Sequence, residues 1–213
     1  MKRLAILGAG GHGRVVADAA EAGGQWQEIV FFDDAWPERK SSGPWPIVGN
    51  LAALLQQCQE FDGVVVGIGA NRVRLSNTDT LAAAGASLAT IIHPRATISR
   101  HAGVGAGSVV FAGAVVNIGA RIGKACIVNT AATVDHDCQV ADGVHISPGA
   151  NLAGGVTVGT CSWIGANAGI RQQISIGAHA VIGVGAVVVS PQPDGITAAG
   201  NPAKDLNRTT PTC

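Results

Sequence analysis

The chain has 213 residues with 14 basic and 14 acidic side chains, no formal net charge and 47% apolar residues. That length allows one large domain or two small ones, and the charge balance argues against a nucleic-acid platform, which needs a basic surplus. No run of about 18 apolar residues is free of polar breaks, so no membrane span is expected, and Met1–Gly8 enters glycines too soon for a secretory signal. The five cysteines (Cys58, Cys126, Cys138, Cys161 and Cys213) are odd in number and lack a CxxC pair. They fit reduced thiols of a cytoplasmic protein better than a disulfide or zinc frame.

Residues 1–91 alternate strand and helix patterns. Leu4–Leu7 is a short buried strand, Gly8-Ala9-Gly10-Gly11-His12-Gly13 a turn, and Arg14 to about Ala22 a helix. A second strand, Ile29–Phe32, ends in Asp33-Asp34, and a loop carrying Trp36, Pro37, Gly43, Pro44, Trp45 and Pro46 follows. A helix near Leu51–Gln59, a strand from Val64 to Gly69 and a helix near Leu75–Ala84 complete the series. This alternation predicts a small parallel sheet flanked by helices. Gly8, Gly10 and Gly13 satisfy GxGxxG, and Asp33 follows about 20 residues later, as in a dinucleotide fingerprint. The segment has room for only half of a dinucleotide fold, so a single nucleotide carrying a sugar is the better fit. Glycines after a strand let phosphate approach backbone amides at a helix N-terminus. A tight turn with no ligand is the bland alternative, and His12 could simply cap it.

From Ile92 an aliphatic residue returns every six positions: Ile92, Ile98, Val104 and so on to Val188, with 17 hits in 17 slots. Four residues after each aliphatic the side chain is almost always small. Glycine often follows the aliphatic directly, as at Gly105, Gly123, Gly159, Gly165, Gly177 and Gly183, and is expected to supply the corners. A period of six fits neither helix nor plain strand alternation. It fits short strands separated by sharp corners, three to a triangular coil, stacked as a parallel β-helix of about five to six coils. An interior ladder of aliphatics would explain why the chain has four Phe, four Trp and no Tyr.

Between Ile92 and Ser190 there are eight charged residues, of which three are carboxylates, and two of these flank a histidine in Val134-Asp135-His136-Asp137-Cys138. With Val134 pointing inward, His136 falls on the outer wall near a corner. A carboxylate on imidazole Nδ1 fixes the tautomer and raises the basicity of Nε2, as a general base requires. Sequence alone leaves open whether Asp135 or Asp137 does this. No second His or Cys lies about 18 residues from His136, so no metal is expected there.

The six-residue rule resembles that of left-handed β-helix acyltransferases, and Asn129–Cys138 with Val144–Ala150 is similar to bacterial nucleotide-sugar acetyltransferases. Within these, the resemblance is nearest to UDP-bacillosamine N-acetyltransferases, and the wider group includes NeuD-type sialic acid O-acetyltransferases. The Gly-Gly-His-Gly turn, Asp33-Asp34, Gly67–Arg72 and Gly200-Asn201-Pro202-Ala203-Lys204 carry it across the whole chain, although Ala70 stands where relatives often have Asn. The resemblance implies a Rossmann-like nucleotide-sugar domain over 1–91, a left-handed β-helix binding acetyl-CoA over 92–190 and a C-terminal segment over 191–213. It implies His136 as general base, Asp137 as the acid raising its basicity, and His145 and Gly154 as coenzyme-binding positions. Gly10, Gly11, His12, Asp33, Asp34 and Gly69 would bind the nucleotide sugar. The implied activity is N-acetylation of a nucleotide-linked 4-amino-4,6-dideoxyhexose, UDP-linked as in bacillosamine synthesis, by a cytoplasmic homotrimer without a metal. Sialic acid O-acetylation, N-acetylation of GDP-perosamine or a dTDP-amino-sugar, and a non-catalytic assembly or nucleotide-sensing protein are the alternatives.

Overall fold

The computed structural model describes residues 1–206; Cys213 and the last seven positions of the 191–213 segment lie outside the described residues. The N-terminal sheet contains β1 (Arg3–Leu7), β2 (Glu28–Phe32), β3 (Ser41–Ser42), β4 (Trp45–Gly49) and β5 (Gly63–Val66), in the order β3-β4-β2-β1-β5. Strands β4, β2, β1 and β5 run parallel, and β3 is antiparallel to β4. Helices α1 (Gly11–Ala22), α2 (Leu51–Gln57) and α3 (Asn71–Ala83) connect them. The central strands are apolar at nearly every position because both faces are covered.

Three local expectations need correction. The proline-containing segment is no plain loop, because Gly43 (φ 62°) turns the chain into the β3–β4 hairpin. Proline is tolerated there because Pro46 faces only the short outer strand, while Trp45 packs edge-on against Phe31 with ring centroids 6.1 Å apart. Helix α1 begins at Gly11 rather than Arg14, with Gly10 as its N-cap and no side-chain cap. The third strand stops at Val66, and Gly67-Ile68-Gly69 forms a turn into α3.

The chain then forms a triangular solenoid with three parallel walls. Two-residue strands at Ile91–Ile92, Val109–Val110, Ile127–Val128, His145–Ile146, Trp163–Ile164 and Val181–Ile182 stack on one wall, which Thr197–Ala199 and Lys204–Asp205 extend. The wall starting at Thr97–Ile98 has six strands and that starting at Gly103–Val104 has five. Partners on each wall are 18 residues apart, as in Val116↔Val134↔Leu152, so one coil is three hexapeptides. The aliphatic slots from Val110 to Val188 are buried and share one core with the small-residue slots. Each fully buried Ile, Leu or Val contributes about 1.5–3 kcal/mol through apolar burial. Ile92 departs from the rule: it is 43% exposed at the open end of the first coil, while Ile91 is buried against the N-terminal sheet.

The glycine expectation also changes. The left-handed corner residues lie three positions after each aliphatic and repeat every six residues from Gly107 to Gly185, including Ala125, Ala131, Asp137, Cys161, Asn167, Gln173 and His179. Glycines such as Gly105 and Gly165, directly after the aliphatic, have a different reason. A Cβ at Gly105 would lie 2.5 Å from the Gly123 carbonyl carbon of the next coil. They permit coil-on-coil stacking, not the turn.

Cys58, Cys126 and Cys138 are buried free thiols and Cys161 is partly buried. Among the described residues no helix is long and apolar enough to cross a membrane.

Candidate active site

All six residues assigned to the nucleotide sugar line one cavity of about 320 Å³ at the C-terminal ends of β1, β2 and β5: Gly10, Gly11, His12, Asp33, Asp34 and Gly69. Ligands in open α/β sheets bind at this end of the strands. The glycines divide the work. Gly8 (φ 102°) makes the tight turn, and a Cβ on Gly13 would drive into the Gly8 carbonyl, so Gly13 lets α1 approach β1. A Cβ on Gly10, Gly11 or Gly69 would meet nothing within 4 Å, which leaves the cavity open to a ligand at the start of α1. Asp33 braces this turn, accepting from the Ala9 N–H at 2.7 Å and the Ala35 N–H at 3.0 Å.

The two carboxylates beside His136 have separate tasks. His136 Nδ1 lies 2.9 Å from Asp137 Oδ2, whereas Asp135 Oδ1 accepts from the His136 backbone N–H at 2.7 Å and from Asn117 Nδ2 at 2.9 Å. Asp137 therefore orients the ring, and its hydrogen bond raises the His136 pKa. The backbone N–H and the Asn117 amide hold Asp135 below its ordinary carboxylate value. Both members of the pair are open to solvent, with side-chain exposures of 58% for His136 and 73% for Asp137. Directly above in the stack, Gly154 faces His136 Nε2, and a Cβ there would collide with the imidazole. Gly119 likewise leaves room for Asp137. The Gly154 N–H makes no hydrogen bond among the described residues.

His145 is not beside His136 within one chain. It is on the wall that faces helices α1 and α3, with its ring centroid 6.5 Å from His12 and 6.4 Å from Trp163. Asn129 Nδ2 lies 3.1 Å from His145 Nε2, which places the proton of the neutral ring on Nδ1. Burial, then the nearby Arg74 charge, pushes His145 down to about 3 and His12 to about 4, so both are neutral near pH 7. His12 Nε2 is buried without a partner among the described residues and His12 lines the cavity, which suits a bound ligand.

Arg74, fully buried on α3, was not marked by the sequence. Its Nε donates to Ala125 O at 2.7 Å, Nη1 to Ile68 O at 3.1 Å and Gly69 O at 2.8 Å, and Nη2 to Asn71 Oδ1 and Gly143 O at 2.9 Å each. All five guanidinium donors are used, and they join the Gly69 turn to two solenoid corners. Asn71 adds bonds from Nδ2 to the carbonyls of Cys161 and Ser162 at 3.1 and 3.0 Å. No pattern of residue types announces such a joint. Asn117 was discoverable, because it lies one 18-residue coil before Asp135. Among the described residues no group of three or more His, Cys, Asp or Glu side chains could hold a metal.

A triangular hexapeptide solenoid joined to a half-Rossmann unit, with an oriented histidine–aspartate pair on the solenoid corner, defines a two-part transferase architecture. Residues 3–81 match the family model described as the PglD N-terminal domain. The chain is 48% identical to the acetyltransferase domain of PglB from Neisseria gonorrhoeae, a structure in complex with acetyl coenzyme A, covering 96% of this chain and 99% of that one with a TM-score of 0.93. It is 35% identical to a histidine mutant of perosamine N-acetyltransferase from Caulobacter crescentus in complex with CoA and GDP-perosamine, covering 98% of each chain with a TM-score of 0.92. UDP-N-acetylbacillosamine N-acetyltransferase of Bacillus subtilis is 36% identical over 112 residues, so that match spans only about half of either protein, 52% of this chain and 51% of that one. The chain belongs to the bacterial nucleotide-sugar acetyltransferases built on a left-handed β-helix.

Proposed function

We propose that the protein transfers an acetyl group from acetyl-CoA to the 4-amino group of a nucleotide-linked 4-amino-4,6-dideoxyhexose, with the UDP-linked bacillosamine precursor as its substrate. The observation that carries this is the joint presence of an open-floored cavity at the start of α1 and a histidine whose Nδ1 is held by Asp137. In this reading residues 1–91 hold the nucleotide sugar, 92–190 the coenzyme, and the Gly200–Lys204 region closes over it. The relatives' names support the substrate class, and substrates of this kind place the enzyme in the cytoplasm.

Acetyl-CoA supplies an activated acyl group. His136 Nε2 accepts the proton released as the amine forms its C–N bond to the thioester carbonyl carbon, and returns it to the departing thiolate. The unpaired Gly154 N–H is the candidate donor to the carbonyl oxygen as that oxygen gains negative charge. His145 contacts the acyl end of the coenzyme, and Asp34 and His12 contact the nucleotide sugar. No acyl-enzyme is needed: burial raises the Cys138 thiol and pushes Cys126 up to about 11, so neither supplies a thiolate near pH 7.

The separation of His136 from His145 within one chain supports a closed trimer, with the corner of one solenoid facing the His145 wall of the next. Ile118, one coil below His136, is 57% exposed and would be covered in that contact. A panel of UDP-, GDP- and dTDP-linked amino sugars, with sialic acid as a hydroxyl acceptor, assayed with acetyl-CoA by thiol release tests the reading. Acetylation of sialic acid alone would overturn it. A further expected result is that Gly11→Val keeps the fold, because its Cβ meets open space, yet raises the sugar-nucleotide KM at least tenfold while coenzyme A affinity stays constant. Calorimetry with each ligand checks this, and joint weakening would refute separate sites.

A further inference from the structure

The interior ladder of the solenoid is closed at one end and open at the other. At the upper end Ile176, Ile182 and Val188 are buried in one core with Ile196 and Ala198 of the C-terminal segment. At the lower end Ile92, Ile98 and Val104 form the last layer. Ile92 is 43% exposed and the other two are half-buried, whereas Val110, Val116 and Ile122, one coil higher, are buried. We infer that this open end is an interaction surface for the headgroup layer of an anionic phospholipid bilayer. Its aliphatic layer seats shallowly among the lipids, and its arginines meet their phosphates. Nothing in this surface depends on the acetyltransferase reading.

Charge selects the partner. No Asp or Glu occurs between Asp79 and Asp135, so every charged side chain of the first coil is basic. Arg95 and Arg100 are exposed at two of its corners. Arg121, one coil higher, lies over Gly103 and donates to the His101 carbonyl at 3.0 Å. None of the three pairs with a carboxylate among the described residues, whereas Lys124 is held by Asp79 at 2.7 Å. A second copy of the chain on this face would set arginine against arginine. Strand addition by a partner protein fits poorly, because each side of this end offers two residues before the chain turns: Ile91–Ile92, Thr97–Ile98 and Gly103–Val104. Nucleic acid would match the charge and leave the aliphatics in water. A bilayer surface answers both features, with phosphates for the guanidinium groups and an apolar layer beneath them. In the closed trimer proposed above, threefold rotation puts all three open ends on one side, which multiplies a weak contact.

Co-sedimentation of the full chain with vesicles tests this, using phosphatidylcholine alone and an equimolar mixture with phosphatidylglycerol. Wild type should bind the anionic vesicles about tenfold more tightly than the neutral ones and lose that preference in high salt. The double variant Arg95→Ser, Arg100→Ser should lose about tenfold on anionic vesicles, with an unchanged thermal midpoint because both side chains are exposed. The double variant Arg95→Lys, Arg100→Lys should keep most of the binding, since a phosphate accepts either cation. Ile92→Ser should weaken binding about fivefold through lost apolar contact. Absent binding by wild type, or equal binding to both kinds of vesicle, would overturn the surface. So would serine variants at the arginines or at Ile92 that bind as wild type does. Polyglutamate or transfer RNA bound as tightly as the anionic vesicles would overturn it in favour of a protein or nucleic-acid partner.

Discussion

Replacing His136 with alanine lowers turnover by about two to four orders of magnitude, the range of a lost general base, without unfolding the chain. The side chain is solvent-exposed and outside the interior ladder, so the thermal midpoint should stay near wild type. Near-normal turnover would remove His136 from the mechanism. Asp137→Asn is the informative partner. It keeps the shape and a residue type that tolerates the left-handed corner at φ 60°, but removes the charge that raises the imidazole pKa. Because His136 works only when neutral, a raised pKa sets the acid limb of the rate profile at higher pH. The asparagine variant should show that limb displaced to lower pH, together with a lower plateau from the weaker base. A uniform loss with no displacement would make Asp137 purely structural.

The second large effect concerns assembly. Sedimentation should give a mass near three times the 21.3 kDa chain. His136→Ala and His145→Ala chains, each nearly inactive alone, should regain a substantial fraction of activity when unfolded and refolded together. In mixed trimers some grooves then combine an intact His136 from one chain with an intact His145 from another. Recovery reads the sharing directly, because no chain in the mixture carries both residues. Mixed trimers that form on joint refolding yet recover no activity would place the whole site in one chain, and a fully active monomer would refute the shared groove.

The parts of this fold that were legible were those written in short periods. Seventeen aliphatics at a spacing of six leave little freedom beyond a three-walled prism, and the inward Val134 placed His136 on the outer corner. The choice between Asp135 and Asp137 was not legible, because both are adjacent to the histidine. The structure separates their tasks through Asn117, one coil away, and through the left-handed turn at Asp137. Rows of 18 residues hold more: His136 under Gly154, Gly119 under Asp137 and His145 beside Trp163 are all one-coil neighbours. The glycines misled for a physical reason. Small size serves both turning and close stacking, and sequence does not distinguish them. Arg74 remained silent because its partners are carbonyl oxygens, which every residue possesses.

That choice of partners has a consequence for the enzyme's working range. A joint made by a cation and acidic side chains loosens in acid, as the acids take up protons, and in brine, as mobile ions shield the attraction. The guanidinium between the two units of this protein is held by four peptide carbonyls and one amide oxygen. None of these oxygens gains or loses a proton across the biological pH range, and the group is shut away from dissolved ions. The alignment of the two compartments is therefore insulated from the same acidity that switches the exposed histidine off. Acid can silence the chemistry while the frame that positions the two compartments keeps its setting.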